Sequence, residues 1–251
     1  MIHTLIFGAG RMARSMLSLV SEFPAIKPIA IVSPVAPDWK NTETVVPFFT
    51  SLEAAHAALE SKPDLVIDFS LNSGTPIAAK WCADHGVALL SGVTGIDKAT
   101  DELLDQAAGK APVLWAPNLS FGVNLLAGLL RQAAPLVGSE TGIVIEETHH
   151  AGKKDAPSGT ALHLAKQFSD DNEISFVSHR EGDVVGVHEV RLSFQDESLT
   201  FRHRAGQRRL FARGALQAGQ WLVTQKPGRY SASDWISSVI EERDRGANGQ
   251  A

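Results

Sequence analysis

Over the first half of the chain, short apolar runs alternate with segments whose apolar residues recur at helical spacing. The run Thr4 to Phe7 stops at Gly8-Ala9-Gly10 and leads into Arg11 to Glu22, which predicts strand, turn and helix. Four further runs follow: Ile29 to Val32, Leu65 to Phe69, Val87 to Leu90 and Val113 to Ala116, with a helix-like stretch from Ser51 to Leu59 between the first two. Strands that are apolar throughout and alternate with helices predict a parallel, doubly wound sheet, an α/β architecture, over roughly residues 1–120.

Beyond Ser120 the texture changes. A helical stretch from Val123 to Val137 precedes the run Thr141 to Thr148, and a second helix begins near Ser158. Residues 184–194 and 198–204 alternate in part and are joined by the polar Gln195-Asp196-Glu197, as antiparallel strands are. A smaller α+β domain is therefore expected over 121–211, with 212–251 returning to the first domain as helix broken at Pro227-Gly228. The tail from Gly246 to Ala251 is expected to fray.

Composition narrows the classes. A chain of 251 residues with 44% hydrophobic content can bury a core, and its formal net charge of -5 gives no basic field for nucleic acid or an anionic membrane. Cys82 is the single cysteine, which excludes an internal disulfide and a cysteine zinc cage and fits a reducing cytoplasm. No signal peptide and no membrane span are read.

The chemistry gathers in loops. Gly8-Ala9-Gly10-Arg11-Met12-Ala13 fits G-x-G-x-x-[GA] between a strand and a helix, where small residues let backbone amides approach a pyrophosphate; the same hexamer also suits an ordinary tight turn. Ser33-Pro34-Val35 stands where an acidic partner for a ribose hydroxyl, or an arginine for a 2′-phosphate, is expected, so NADH and NADPH both stay open. Three more loops follow apparent strands at the carboxyl edge of the sheet: Asp68-Phe69-Ser70, Ser91 to Gly95, and Ala116 to Ser120. Each alone could be turn chemistry. Together they suggest a ligand-binding edge.

The densest signal is Glu146 to Ala161, with His149, His150, Lys153 and Lys154 ahead of a helix start at Ser158-Gly159-Thr160. Free amides and hydroxyls there make an anion pocket suited to a carboxylate, with lysine charge beside it. A histidine can serve as acid or base near neutral pH, and a lysine can give a proton to a developing carbanion. Adjacent histidines seldom point the same way and no third ligand supports them, so no metal site is expected. Lys154 also suits solvated surface.

This segment resembles the signature of the dihydrodipicolinate reductase family, E-x-H-H-x-x-K-x-D-A-P-S-G-T-A, running here from Glu147 to Ala161. Similar segments recur in order along nearly the whole chain: Gly10-Arg11-Met12, Asp68-Phe69-Ser70, Gly92 to Gly95, Asn118 to Asn124, Arg180 to Gly186, and His203-Arg204 leading to Phe211 to Ala215. The resemblance implies a Rossmann-like domain with a smaller α+β substrate and oligomerisation domain. It also implies an NADH- or NADPH-dependent oxidoreductase that reduces a small dicarboxylate imine, in a cytoplasmic homotetramer. By the same resemblance His149 is the acid/base and Lys153 the proton donor, while His150, Ser158, Gly159 and Thr160 hold substrate carboxylates. The cofactor falls to Gly8, Gly10, Arg11, Met12, Phe69, Ser70, Gly92, Thr94, Ala116, Asn118 and Leu119.

Three departures stand out: Ala13 where glycine is usual, Val93 for a hydroxyl residue, and Leu71 where a basic residue is common. The stretch from Leu164 to Arg180 is short, suggesting a trimmed hairpin. Two other readings are a dehydrogenase of another imine or semialdehyde, and a nucleotide sensor without turnover. The intact segment argues against the first, and the presence of His149 and Lys153 against the second.

Overall fold

The computed structural model describes residues 1–39 and 45–248. The chain divides into two compact units, Met1–Leu119 with Phe211–Ala251, and Ser120–Leu210.

The first unit is built on β1 (Ile2–Phe7), α1 (Arg11–Leu17), β2 (Ile26–Val32), β3 (Phe48–Phe49), α2 (Leu52–Ala58), β4 (Leu65–Asp68), α3 (Thr75–His85), β5 (Ala88–Ser91), α4 (Lys98–Ala108) and β6 (Pro112–Trp115). Its strands form a parallel sheet in the order β11-β6-β5-β4-β1-β2-β3, where β11 is Gly228–Tyr230, near the chain end. Because β1 lies between β4 and β2, the strand order reverses there and opens a crevice at the carboxyl ends of both. The inner strands are largely buried, as in the four residues of β4, which explains their mainly apolar runs. Side chains end the loops cleanly: Ser51 caps α2 by accepting from the Ala54 amide at 3.1 Å, and Asp97 caps α4 by accepting from Thr100 at 2.8 Å.

The second unit holds α5 (Phe121–Ala133), β7 (Gly142–His149), α6 (Gly159–Ala165), β8 (Ile174–Arg180), β9 (Gly186–Ser193) and β10 (Ser198–Ala205). Its sheet runs β10-β9-β7-β8, antiparallel except for the parallel pair β7 and β8. One face is apolar at Ile143, Ile145, Val190 and Leu192, which pack with Leu126, Leu130, Ala161 and Leu164 of α5 and α6. Further along β7 and β9 that same buried face turns polar, at Glu147, His149 and His188. Apolar burial thus fixes the sheet, and one end of the same face holds buried polar groups.

The remaining helices are α7 (Arg209–Leu222) and α8 (Ala232–Asn248). Several elements differ from expectation. The helix expected to Glu22 ends at Leu17 and resumes as a 3-10 turn over Val20–Glu22. The break at Pro227-Gly228 begins the short edge strand β11, and the short stretch between Leu164 and Arg180, where the sequence pattern predicts no strand, holds β8. Both are edge strands, and β8 is largely exposed, so neither needs a diagnostic apolar pattern. The tail expected to fray from Gly246 stays helical to Asn248; residues 249–251 lie outside the described residues. No described helix is long and apolar enough to cross a membrane.

Candidate active site

At the crevice beside β1, the Gly8 amide donates to the Val32 carbonyl at 2.8 Å and the Phe69 amide to Phe7 at 2.9 Å. Gly8 has φ 101°, and a Cβ there would lie 2.6 Å from the Phe69 carbonyl, so the turn after β1 and the loop after β4 meet backbone to backbone. Gly92, after β5, is equally bare, since a Cβ would lie 2.3 Å from the Phe69 ring. The Asn72 amide donates to the Gly95 carbonyl at 2.7 Å, and Trp115 Nε1 donates to the Val93 carbonyl at 2.8 Å. Four predicted loops are therefore knit along one edge of the sheet.

Asp68 organises this edge. Its buried carboxylate accepts from the Ser70 amide and hydroxyl, from Thr75 Oγ1 at 2.8 Å and from Ser91 Oγ at 3.0 Å. The Ser70 amide and hydroxyl are thus both committed inside the protein, which leaves only its backbone carbonyl for a ligand. Ala116 and Leu119 are buried, so they too offer backbone only. Arg11 and Thr94 are exposed, and Met12 and Asn118 are half-buried. Val93 is 5% exposed, so this departure from the family pattern is a core side chain.

In the second unit, Glu147 and His149 are two apart on β7 and share a face. His149 Nδ1 contacts Glu147 Oε2; an ionised carboxylate only accepts, so Nδ1 carries the proton and Nε2 is left as the acceptor nitrogen of the neutral ring. Arg180 Nη1 donates to Glu147 Oε2 at 3.0 Å and Nη2 to Oε1 at 2.8 Å. Oε1 accepts again from the Ser158 amide at 3.2 Å, and Ser158 Oγ caps α6 by accepting from Ala161 at 3.1 Å. Glu147 thereby joins β7, β8 and the start of α6. Lys153 Nζ pairs with Asp155 Oδ1 at 2.7 Å, whereas Lys154 is exposed.

Register brings in residues from distant segments. Within the sheet, His188 lies opposite Glu147 and His203 opposite His188. The rings of His149 and His188 stand edge to face at 5.0 Å, and His188 Nε2 lies 3.4 Å from Ser158 Oγ. His203 Nε2 lies 3.4 Å from Ser120 Oγ. A Cβ on Gly186 would come within 3.1 Å of His149 Nε2, so glycine keeps that nitrogen uncovered.

Charge is arranged to match. Burial alone would raise the Glu147 carboxyl, but hydrogen bonds from Arg180 and His149 outweigh it and hold it at about 2. Burial lowers His149, assisted by Lys153 and Arg180 and opposed by Glu147. Burial, with His149 and His203 nearby, pushes His188 down to about 3. The unfolded chain therefore binds a proton near pH 6.5 that the folded chain refuses until about 3. Stability should fall across that window on acidification, by up to ~1.4 kcal/mol per pH unit for one proton, and Glu147 adds to the loss below its unfolded value. Chemical denaturation at a series of pH values checks this: His188→Gln flattens the slope, and an unchanged slope would show that His188 is protonated in the fold.

The structure brings His149, Lys153 and Ser158 together with Glu147, and places His150, Gly159 and Thr160 on the connecting loop and the start of α6. It adds Glu147, Arg180, His188 and His203, to which the sequence reading gave no role. The i,i+2 spacing of Glu147 and His149 on a strand was the available signal for the first. Arg180 and the two histidines become neighbours only through strand register.

A parallel sheet with a bare glycine turn at its switch point, and a separate mixed sheet bearing a carboxylate-anchored histidine beside a lysine, define a nicotinamide-dependent oxidoreductase built in two units. Within that class the chain belongs to the dihydrodipicolinate reductase family: the family's N-terminal profile matches residues 2–119 and its C-terminal profile residues 122–236. A 4-hydroxy-tetrahydrodipicolinate reductase of Xanthomonas campestris pv. campestris (strain B100) is 39% identical over 238 residues, 94% of this chain and 98% of the relative. Its counterpart in Stenotrophomonas maltophilia (strain R551-3) is 40% identical over 239 residues, again 94% of this chain and 98% of the relative. A dipicolinate-bound dihydrodipicolinate reductase from Paenisporosarcina sp. TG-14 shares the fold, with TM-score 0.78 and 21% identity over 92% of this chain and 97% of that one. A myo-inositol dehydrogenase from Corynebacterium glutamicum ATCC 13032 has TM-score 0.64 at 15% identity, over 98% of this chain and 97% of that one.

Proposed function

We propose that this chain reduces 4-hydroxy-tetrahydrodipicolinate to tetrahydrodipicolinate, with NADH or NADPH as reductant, in the diaminopimelate and lysine pathway. The observation that carries this reading is the relation to named reductases along 94% of the chain, with the Glu147 to Ala161 segment folded around a fixed His149.

The glycine turn suits the dinucleotide. Gly8 has no room for a side chain, whereas an added Cβ on Gly10 would meet nothing within 4 Å, so backbone is bare and space is open where a pyrophosphate would lie. Gly8, Gly10, Arg11 and Met12 would hold it, with Phe69, Ser70, Gly92, Thr94, Ala116, Asn118 and Leu119 from the neighbouring loops. When bound, the reduced nicotinamide supplies a hydride.

The protein's own groups manage the carboxylates and protons. His150, Ser158, Gly159 and Thr160 are the proposed carboxylate partners. Ser158 Oγ accepts from Ala161 at the α6 cap and its amide donates to Glu147, which leaves the Ser158 O–H able to donate to a carboxylate beside the side chains of His150 and Thr160. Lys153, an ammonium held against Asp155, is the proposed donor of the proton to C3 of the substrate. His149, anchored through Nδ1, presents Nε2 as the acid/base. Loss of water from C4 is the step such a group assists.

We further read the chain as a cytoplasmic homotetramer. The exposed apolar side chains Phe176 and Val177 on β8 and Leu199 on β10 support self-association, which sedimentation equilibrium checks.

Calorimetric titration with dipicolinate, a planar dicarboxylate close to the substrate in shape, tests the site. Binding is expected, and replacing Thr160 by Val or Lys153 by Met should weaken it about tenfold or more, a loss of ~1.4 kcal/mol or more. Binding that neither change weakens would place the dicarboxylate elsewhere.

A further inference from the structure

Arg180 ends β8 directly beside His149 in the parallel register, and its guanidinium is engaged on every nitrogen. Two nitrogens form the fork on Glu147 that arginine alone makes among side chains. Nε donates to the Lys153 carbonyl at 3.3 Å and Nη2 to the Asp155 carbonyl at 2.5 Å. One side chain therefore grips the carboxylate that orients His149 and, at the same time, the backbone that carries Lys153. The adjoining turns support the grip, with the Glu181 amide donating to the His149 carbonyl at 2.8 Å and Ala151 to Gly182 at 3.0 Å.

We propose that Arg180 is the positioning residue of this site: it fixes the spacing of His149 and Lys153, and it neutralises Glu147 so that the carboxylate can orient His149 without trapping it as imidazolium. The proposal rests on the reading of His149 and Lys153 as the proton-handling pair.

The charges that face His149 are Glu147 on its own strand, Lys153 on the following loop and Arg180 on β8, with the neutral ring of His188 on β9. A lone buried carboxylate in contact with an imidazole would favour its charged form by about one to three pKa units. With Arg180 in place, burial and the two cations prevail and His149 sits below its ordinary value. A lysine at 180 would keep the charge but lose the fork and the reach to both carbonyls.

The test compares R180K, R180M and the charge-balanced double variant E147Q/R180M. The His149 ring is titrated by NMR, and kcat and KM are followed against pH. In R180M the His149 midpoint should rise by about one unit or more, and in E147Q/R180M it should drop back below that of R180M. R180K should keep the wild-type midpoint but lose about 10- to 100-fold in kcat, with a smaller change in KM, because the Lys153 backbone is released. If R180M does not fold, R180K decides, by its lowered kcat at an unshifted His149 midpoint. Wild-type kcat in R180K, or a His149 midpoint in R180M or the double variant that does not move as stated, overturns the proposal. The titration needs no turnover, so it still judges Arg180 if His149 and Lys153 variants show that the pair handles no protons.

Discussion

Replacing Lys153 by alanine is expected to lower kcat by about 10²- to 10⁴-fold, the range a positioned general acid supplies, while dinucleotide affinity stays at its wild-type value. Lys153 is held at both ends: its carbonyl accepts from Arg180 Nε at 3.3 Å, and its ammonium lies 2.7 Å from Asp155. Its side chain is 22% exposed, so the charge is available to a ligand without being free in solvent. Removing it takes away the ammonium proposed as the proton donor, and leaves Asp155 without the partner that holds its carboxyl below the ordinary range. The nucleotide turn belongs to the other compact unit and shares no residue with this segment. Steady-state turnover alongside nucleotide fluorescence separates the two effects. Undiminished kcat would remove Lys153 from the reaction, and a parallel loss of nucleotide binding would point to a folding defect instead.

Gly214→Ala is expected to be among the most damaging single changes in the chain. A Cβ at Gly214 would fall 1.7 Å from the carbonyl oxygen of Leu119, which is backbone and cannot swing aside. The helix α7 must then retreat from the loop that follows β6. Neighbouring positions in α7, among them Ala215, Leu216, Ala218 and Leu222, are buried, so a retreat reopens packed core. A cost of about 4 kcal/mol is the scale of such exceptional substitutions, and in a chain of this size it lowers Tm by about 8 to 16 °C. Differential scanning fluorimetry of the variant measures it. Gly10→Ala, which meets no atom within 4 Å, is the matched control and should leave Tm nearly unchanged. A Tm for Gly214→Ala close to that control would contradict the packing described.

Much of the first unit was legible because its inner strands are buried, so their sequences are largely apolar and most stop within two residues of a glycine or proline. The run Leu65 to Phe69 predicted β4, and the loop after it, on this principle. The elements that escaped are those to which burial does not speak. β11 is three residues long and half-buried at a sheet edge, and β8 is exposed over most of its length. The active segment was legible as a cluster because its residues are consecutive, and the family resemblance gave the roles. What local spacing could not show is why His149 is fixed. That depends on Arg180, 31 residues further on, which the pairing of β7 with β8 sets beside His149; strand pairing also brings His188 against the His149 ring, and His203 against His188. The Val93 departure likewise looked like a lost hydroxyl in a ligand loop, but the structure gives it a place in the core.

The central claim is the reaction itself, and it is tested most directly by mixing the purified chain with NADH or NADPH and the freshly formed condensation product of aspartate semialdehyde and pyruvate, and following the absorbance of the reduced nucleotide. Rapid oxidation that requires the condensation product, with tetrahydrodipicolinate formed in equal amount, is the predicted result. Binding of either nucleotide with no substrate-dependent oxidation would contradict the account and leave the chain a nucleotide-binding protein acting on something else.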